Sequence, residues 1–476
     1  MKESLGLRAA WIAAAAVGFW VLSIGMVALL AFGGVAIMTY AQDQVLGGPI
    51  ALVLAGALAF GLFPGLPRKD ADESPPLAPV EHPRLRSFVQ GIAADAGAPA
   101  PEVLYVSHAA NAFAGSRRPR LLAKKQATVG VGLPLLATLT QNELRAVVAH
   151  EMGHHARGDV RLGPWVHRTR SAIARASDRL EGSIFWLHLP FVLYADLFMK
   201  ISVRISRAQE LVADALGARV AGPSAMAGAL RKIEVLSAAW GAYFHGEVLP
   251  IVEQGRMPAL LEGFDRYWRA AQTPGTPAFD ALFAALEQGQ RSRPDDTHPT
   301  LEERIDALGD PPAASDSGIA ALHLLDDVAA VEERAVRDLM RDPRAPLPGV
   351  AWDQIAEEVW LPLWQSTIEP HVRSLAKLEA AHLPAVLERW QDLAEATRRG
   401  PAILSPEAER RRLAQLLGAW LTLRLASRGF RIQAPPGRAV TAERDGRTLA
   451  PFTLVLGMLR GSDGDAWSKI CAESGI

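Results

Sequence analysis

From Ala9 to Tyr40 the chain carries no charged residue, and a second charge-free apolar run follows from Val45 to Leu66. Each run is long enough to cross the hydrocarbon core of a bilayer, which takes about 20 residues. A cleaved secretion signal has an apolar stretch of only about 7–15 residues and leaves the second run without a purpose. The pair is therefore expected to form a permanent two-helix transmembrane anchor within residues 1–70, with spans near 9–40 and 45–66. Lys2 and Arg8 precede the first run, Arg68, Lys69, Arg84 and Arg86 follow the second, and the connection between them has only Asp43. Positive flanks mark the cytoplasmic side, so both ends of this hairpin are expected there.

Residues 71–82 are rich in proline and charge and lack apolar periodicity, as a linker does. A globular region is expected from Pro83. Within it, Leu85–Ala96 has the spacing of an amphipathic helix, and Val103–Ser107 and Ala127–Gly132 read as short strands. Thr140 and Glu143 have capping-box spacing and open a helix that runs through VVAHEMGHHARGD, Val147–Asp159.

That helix concentrates the chemistry. His150 and His154 are one turn apart, about 40° around the axis, so both imidazoles can reach one ion. Glu151 lies about 100° from His150, close enough to act on a metal-activated water without being a ligand. His155 is rotated off this face and is not counted among the ligands. The spacing is that of a zinc hydrolase. A single cysteine, Cys471, rules out a cysteine-rich metal site, so the ligands must be histidine and carboxylate. Two histidines leave a tetrahedral ion one protein ligand short, with the fourth place reserved for water and substrate. RAQELVADALGARVAG, Arg207–Gly222, offers Glu210 and Asp214 one turn apart on a second helix. Glu210 suits the ligand position, and Asp214 suits a role in orienting a ligand imidazole. With 50 basic and 51 acidic residues, the chain has no charge excess that would call for a nucleic-acid partner.

AHEMGHHARGD and ELVAD, preceded by NAFAGS (Asn111–Ser116) and followed by THPTLEERIDAL (Thr297–Leu308) behind an apolar N-terminus, resemble the M48 family of membrane zinc metallopeptidases over about Pro83–Gly309. The resemblance implies an α+β, mostly helical fold: a zincin-like metallopeptidase domain over 83–310, with an HExxH helix and a small sheet that presents an edge strand. It implies one Zn2+ per chain, bound by His150, His154 and Glu210, with Glu151 as general base. It further implies that Asn111 and His298 bond the substrate backbone or the developing oxyanion, and that Arg304 is buried near Asp214. ATVGVG would be the edge along which an extended peptide adds as a strand, Gly130 and Gly132 permitting its close approach. The implied activity is that of an endopeptidase acting on membrane-associated or misfolded proteins. Its partners would be those proteins and membrane lipid, at a bacterial inner membrane with the catalytic domain cytoplasmic. The alternative is a catalytically silent membrane scaffold that keeps the fold. The intact Glu151 argues against it, because a protein that only binds has no chemical need of a general base.

Two segments remain. Ser183–Ile201 is apolar enough to imitate another span, yet it separates His154 from Glu210, which must meet at one ion, so a single crossing there is excluded. It is expected to pack in the domain or to lie at the membrane surface beside the anchor. Residues 311–476 are expected to form a mainly helical accessory domain, with Trp360 and Trp364 in its core and a β-hairpin turning at Asp445-Gly446.

Overall fold

The computed structural model describes residues 5–40, 46–62, 81–117, 124–156, 185–290, 298–312, 318–337, 340, 342, 344–376, 378–398, 405–461, 467 and 469–472. They are mainly helical, with three small sheets. The described residues form two compact units that interleave along the chain, one containing 1–234 and 291–328, the other 235–290 and 329–476. Residues 235–290 thus pack with the C-terminal residues in the second unit. His155 and most of the linker at 71–82 fall outside the described side chains and residues.

The first unit begins with α1 (Leu5–Tyr40) and α2 (Gly47–Leu62), which pack side by side. Their approach depends on glycine: a Cβ on Gly48 would lie 2.2 Å from Met38 Cγ, and one on Gly34 2.9 Å from the Gly48 carbonyl oxygen. Val17–Tyr40 is long and apolar enough to cross a bilayer, with a mean hydropathy of 2.4 and only 11% of the window buried. Leu29, Phe32 and Val53 are 69, 79 and 70% exposed. A soluble helical hairpin would cover such side chains, whereas lipid leaves them outward. In its described extent α2 spans about 24 Å, short of a full hydrocarbon core.

A left-handed Gly97 (φ 66°) caps α3 (Pro83–Ala96), which buries Leu85, Val89, Ile92 and Ala96 along one stripe, as its periodicity predicts. Next come β1 (Val103–Ser107), β2 (Ala112–Arg117) and β3 (Gln126–Gly132). Their order in the sheet is β1-β3-β2, with β3 parallel to β1 and antiparallel to β2. ATVGVG is therefore the central strand, and the expectation that it forms a free edge is corrected. The reason is visible in its burial: Thr128–Gly132 are all buried, as in a strand covered on both faces, while β2 is mostly half-buried. The two glycines serve the protein's own packing. The Phe113 ring lies over Gly130, where a Cβ would come within 2.1 Å of it, and the Ala109 carbonyl oxygen leaves no room for one on Gly132.

The helices that follow carry the polar residues of interest. After the short α4 (Leu133–Thr138), Thr140 and Glu143 close the expected capping box at the start of α5 (Gln141–Ala156), with Thr140 N–H donating to Glu143 Oε2 at 2.8 Å. Lys232 Nζ also reaches this buried carboxylate, at 3.1 Å. Past the undescribed stretch, α6 (Phe185–Ala221) is one unbroken helix of 37 residues. Its first half contains most of Ser183–Ile201, and Tyr194 packs on Phe19 of α1 at a ring separation of 6.0 Å, beside the apolar hairpin. Its second half packs along α5, where Gly153 faces Leu216 and Gly217 faces the Ala146 carbonyl. A chain reversal at Gly222 leads into α7 (Pro223–Tyr243).

In the second unit the helix Pro406–Ser427 forms the centre of a core that includes Leu413, Leu417, Leu421 and Leu425. Trp360 and Trp364 stack at 6.0 Å, and Trp364 also meets Phe452. The expected hairpin joins Thr441–Arg444 to Arg447–Leu449, with Asp445 and Gly446 both at positive φ (53° and 76°), a two-residue turn whose twist matches that of the strands.

Candidate metal centre

Three helices and the loop that carries His298 assemble the site. From α5 come His150 and His154, whose Nε2 atoms lie 3.3 Å apart. From α6 comes Glu210, with carboxylate oxygens 3.6 Å from each of those nitrogens. The three side chains each offer a ligand atom within 4.8 Å of the others, the spacing at which one metal ion can be shared. Glycine makes the distance possible, because a Cβ on Gly217 would stand 2.7 Å from the Ala146 carbonyl oxygen and push α6 away from α5.

The site is braced from behind. Asp214, one turn beyond Glu210 and only 1% exposed, places Oδ1 2.9 Å from His150 Nδ1. That contact keeps the ring proton on Nδ1 and turns the Nε2 lone pair toward Glu210. Arg304, from the short helix Leu301–Ala307, donates from Nε and Nη2 to both Asp214 oxygens at 2.8 and 2.6 Å. The same guanidinium lies 3.5 Å from Glu210. Burial raises the Asp214 pKa, but the Arg304 and His150 hydrogen bonds outweigh it and the carboxyl ends below its usual value. Arg304 is correspondingly raised, its desolvation being overcome by Asp214. The Arg304 helix starts at a capping box of Thr300 and Glu303, a T-x-x-E signal that the sequence carries.

The two glutamates next to the histidines are shifted in opposite directions. Burial pushes Glu151 above the ordinary carboxyl value, against the pull of His150 and His154. Glu210 is also desolvated, but the hydrogen bond from His298 and the fields of His150 and His154 bring it below that value. A raised pKa makes a carboxylate a stronger proton acceptor, while a lowered one favours an anion fit to bind a cation. His298 is largely exposed, with Nδ1 3.4 Å from Glu210. Asn111 is exposed at the start of β2, its Oδ1 accepting from the Ala112 N–H at 2.8 Å.

A cavity of about 620 Å3 opens over these groups. Asn111, His298 and Arg304 contribute polar lining, and β2 contributes Ala112 and Phe113. Leu135, Val147, Met226, Leu230 and Ile233 also line it, residues the sequence reading passed over. Their signal was present, since Met226, Leu230 and Ile233 fall at i, i+4 and i+7, and Val147 stands one turn before His150.

Comparison with known proteins converges on the same region. Residues 79–311 match the sequence profile of peptidase family M48. The chain is 32% identical over 245 residues to a protein named Protease HtpX homolog from Tropheryma whipplei (strain TW08/27), an alignment covering 48% of this chain and 72% of that protein. It is 36% identical over 174 residues to the Protease HtpX homolog of Thermococcus sibiricus, covering 32% of this chain and 58% of the relative. It is 28% identical over 256 residues to Protease HtpX of Hahella chejuensis, covering 48% and 74%. No solved structure matches the chain.

Proposed function

The chain belongs to peptidase family M48 and is a membrane-associated metallopeptidase, and from that premise we propose that it is a zinc-dependent endopeptidase using His150, His154 and Glu210 as ligands and Glu151 as general base. The convergence of those three ligand side chains beside Glu151 carries the reading. Zinc suits the spacing: with Zn–N distances of about 2.0–2.1 Å, a tetrahedral edge is about 3.3–3.4 Å. The corresponding separations here are 3.3, 3.6 and 3.6 Å. The donor set, two imidazoles and one carboxylate with no thiolate, also suits it.

When bound, the ion supplies Lewis-acid activation of a water molecule and of the scissile carbonyl. The chain's own residues do the rest. Glu151 takes the proton of the attacking water on its carboxylate and delivers it to the nitrogen of the departing amine, a transfer its raised pKa favours. Asp214 holds the His150 tautomer, and Arg304 holds Asp214. His298 and the Asn111 amide are candidates to bond the substrate carbonyl. In the present reading β2 replaces β3 as the strand edge that an extended peptide follows, since β2 borders the cavity.

The substrates proposed are membrane-associated or misfolded proteins. They would be met on the cytoplasmic face by a catalytic region tethered through two spans. In the test, the full-length protein is purified in detergent, assayed for zinc, and given casein. One zinc per chain and cleavage are expected, and Glu151→Gln should keep the zinc while cleavage falls below detection. Cleavage undiminished in that variant would sink the mechanism.

A further inference from the structure

The cavity over the metal centre is chemically lopsided, and its apolar part has an ordered origin. Met226, Leu230 and Ile233 lie on one face of α7, Met226 and Leu230 being buried against Ala146 of the ligand-bearing helix. Val147 stands three residues before His150 and four before Glu151, so it lies on the face of α5 that carries the first ligand and the base. Leu135 of α4 adds to the same lining. No acidic or basic side chain of α7 lines the cavity among the described residues. Of the charged neighbours of Ile233, Lys232 is held by Glu143 at 3.1 Å and Glu234 is exposed.

Resting on the peptidase reading above, we propose that this surface selects the residue adjoining the scissile bond. The cavity takes peptides with a large apolar side chain at that position (Leu, Met or Phe), seated against Val147, Met226, Leu230 and Ile233. The position follows from Val147: a side chain in contact with it lies within one helical turn of Glu151, and so belongs to a residue next to the bond whose hydrolysis Glu151 assists as base. Burying a large apolar side chain there favours it over serine by about 10- to 100-fold. A charged residue would lose its hydration without finding a partner.

Binding and turnover are measured separately. Zinc-loaded, full-length Glu151→Gln protein is titrated by fluorescence anisotropy with two labelled peptides that differ only in Leu or Ser at the mapped position. The Leu peptide should bind at least 10-fold more tightly. Adding Ile233→Glu to this protein should bring the ratio toward one with zinc content and melting temperature unchanged, while Ile233→Leu should keep it. Equal affinity for both peptides, no measurable affinity for either, or a ratio untouched by Ile233→Glu would overturn the proposal. Turnover by the Glu151-containing protein is scored independently: failure to hydrolyse either peptide counts against the peptidase reading, and the binding ratio still decides the preference.

Discussion

Arg304 touches no ligand nitrogen, yet it should govern metal affinity. Its guanidinium grips both oxygens of Asp214, a carboxylate that is 1% exposed and that orients His150. Truncating it leaves a buried anion without its cation, a change that costs about 3–5 kcal/mol when one partner of a buried pair is removed. Arg304→Ala is therefore expected to lower stability in denaturant titrations by a large part of that amount. It should also weaken zinc binding about 10- to 100-fold in competition with a chelator, through a misoriented imidazole. Arg304→Lys keeps the charge but not the two-pronged bond and should fall between. Wild-type zinc affinity in Arg304→Ala would mean that Asp214 positions His150 unaided. A second residue-scale prediction concerns Glu247 in the C-terminal unit, whose pKa is pushed up from 4.5 to about 7 by burial, against the Gly437 N–H that bonds it. In the unfolded chain this carboxyl loses its proton near pH 4.5; in the fold it keeps it until about pH 7, so stability falls as pH rises through that window. Glu247→Gln should remove the loss. Its melting temperature should gain on the wild type between those pH values and stay level above them, and a constant difference across the range would refute this.

At the scale of elements, the metal centre depends on how closely α5 and α6 approach. Gly217 sits where a Cβ would be 2.7 Å from the Ala146 carbonyl oxygen, a backbone atom that cannot swing aside. Alanine gains about 1 kcal/mol in helix propensity over glycine, but overpacking of this kind costs about 1–3 kcal/mol. Gly217→Ala is thus expected to be destabilising on balance. Because the displaced helix carries Glu210, zinc occupancy should fall with it, which metal analysis of the purified variant measures. An unchanged occupancy would show that the helices adjust without moving the ligand. The same helix extends to Tyr194 on Phe19. One continuous helix therefore links Glu210 to the apolar hairpin.

At the scale of the whole molecule, the apolar hairpin decides which surroundings the chain needs. Phe32, Leu29 and Val53 are too exposed for a protein surrounded by water, and lipid is the solvent that suits them. The topology proposed above would put Asp43 outside and Glu102, exposed in the first unit, inside. Native Cys471 is buried, so single introduced cysteines can be read against a low background. Asp43→Cys should react with an impermeant maleimide in intact cells, and Glu102→Cys should react only after lysis. Labelling of Glu102→Cys from outside would reverse the proposed orientation.

By itself the sequence determined what is local. The apolar runs, the stripe of α3, the Thr140–Glu143 cap, the Asp445-Gly446 turn and the one-turn spacings of His150 with His154 and of Glu210 with Asp214 follow from helix and strand periodicities that act over a few residues. Those spacings were enough to suggest which side chains could share an ion, since residues one helical turn apart present their side chains on one face. Tertiary structure decided what depends on distant partners. It placed β3 at the centre of its sheet, because strand order is set by which faces are covered, although unbroken apolar character in VGVG hinted at it. It put 235–290 with the C-terminal residues, a choice made by long-range packing that no window along the chain contains. It also brought Val147 and α7 to one cavity wall, because side chains some 80 positions apart become neighbours only when α5, α6 and α7 have packed.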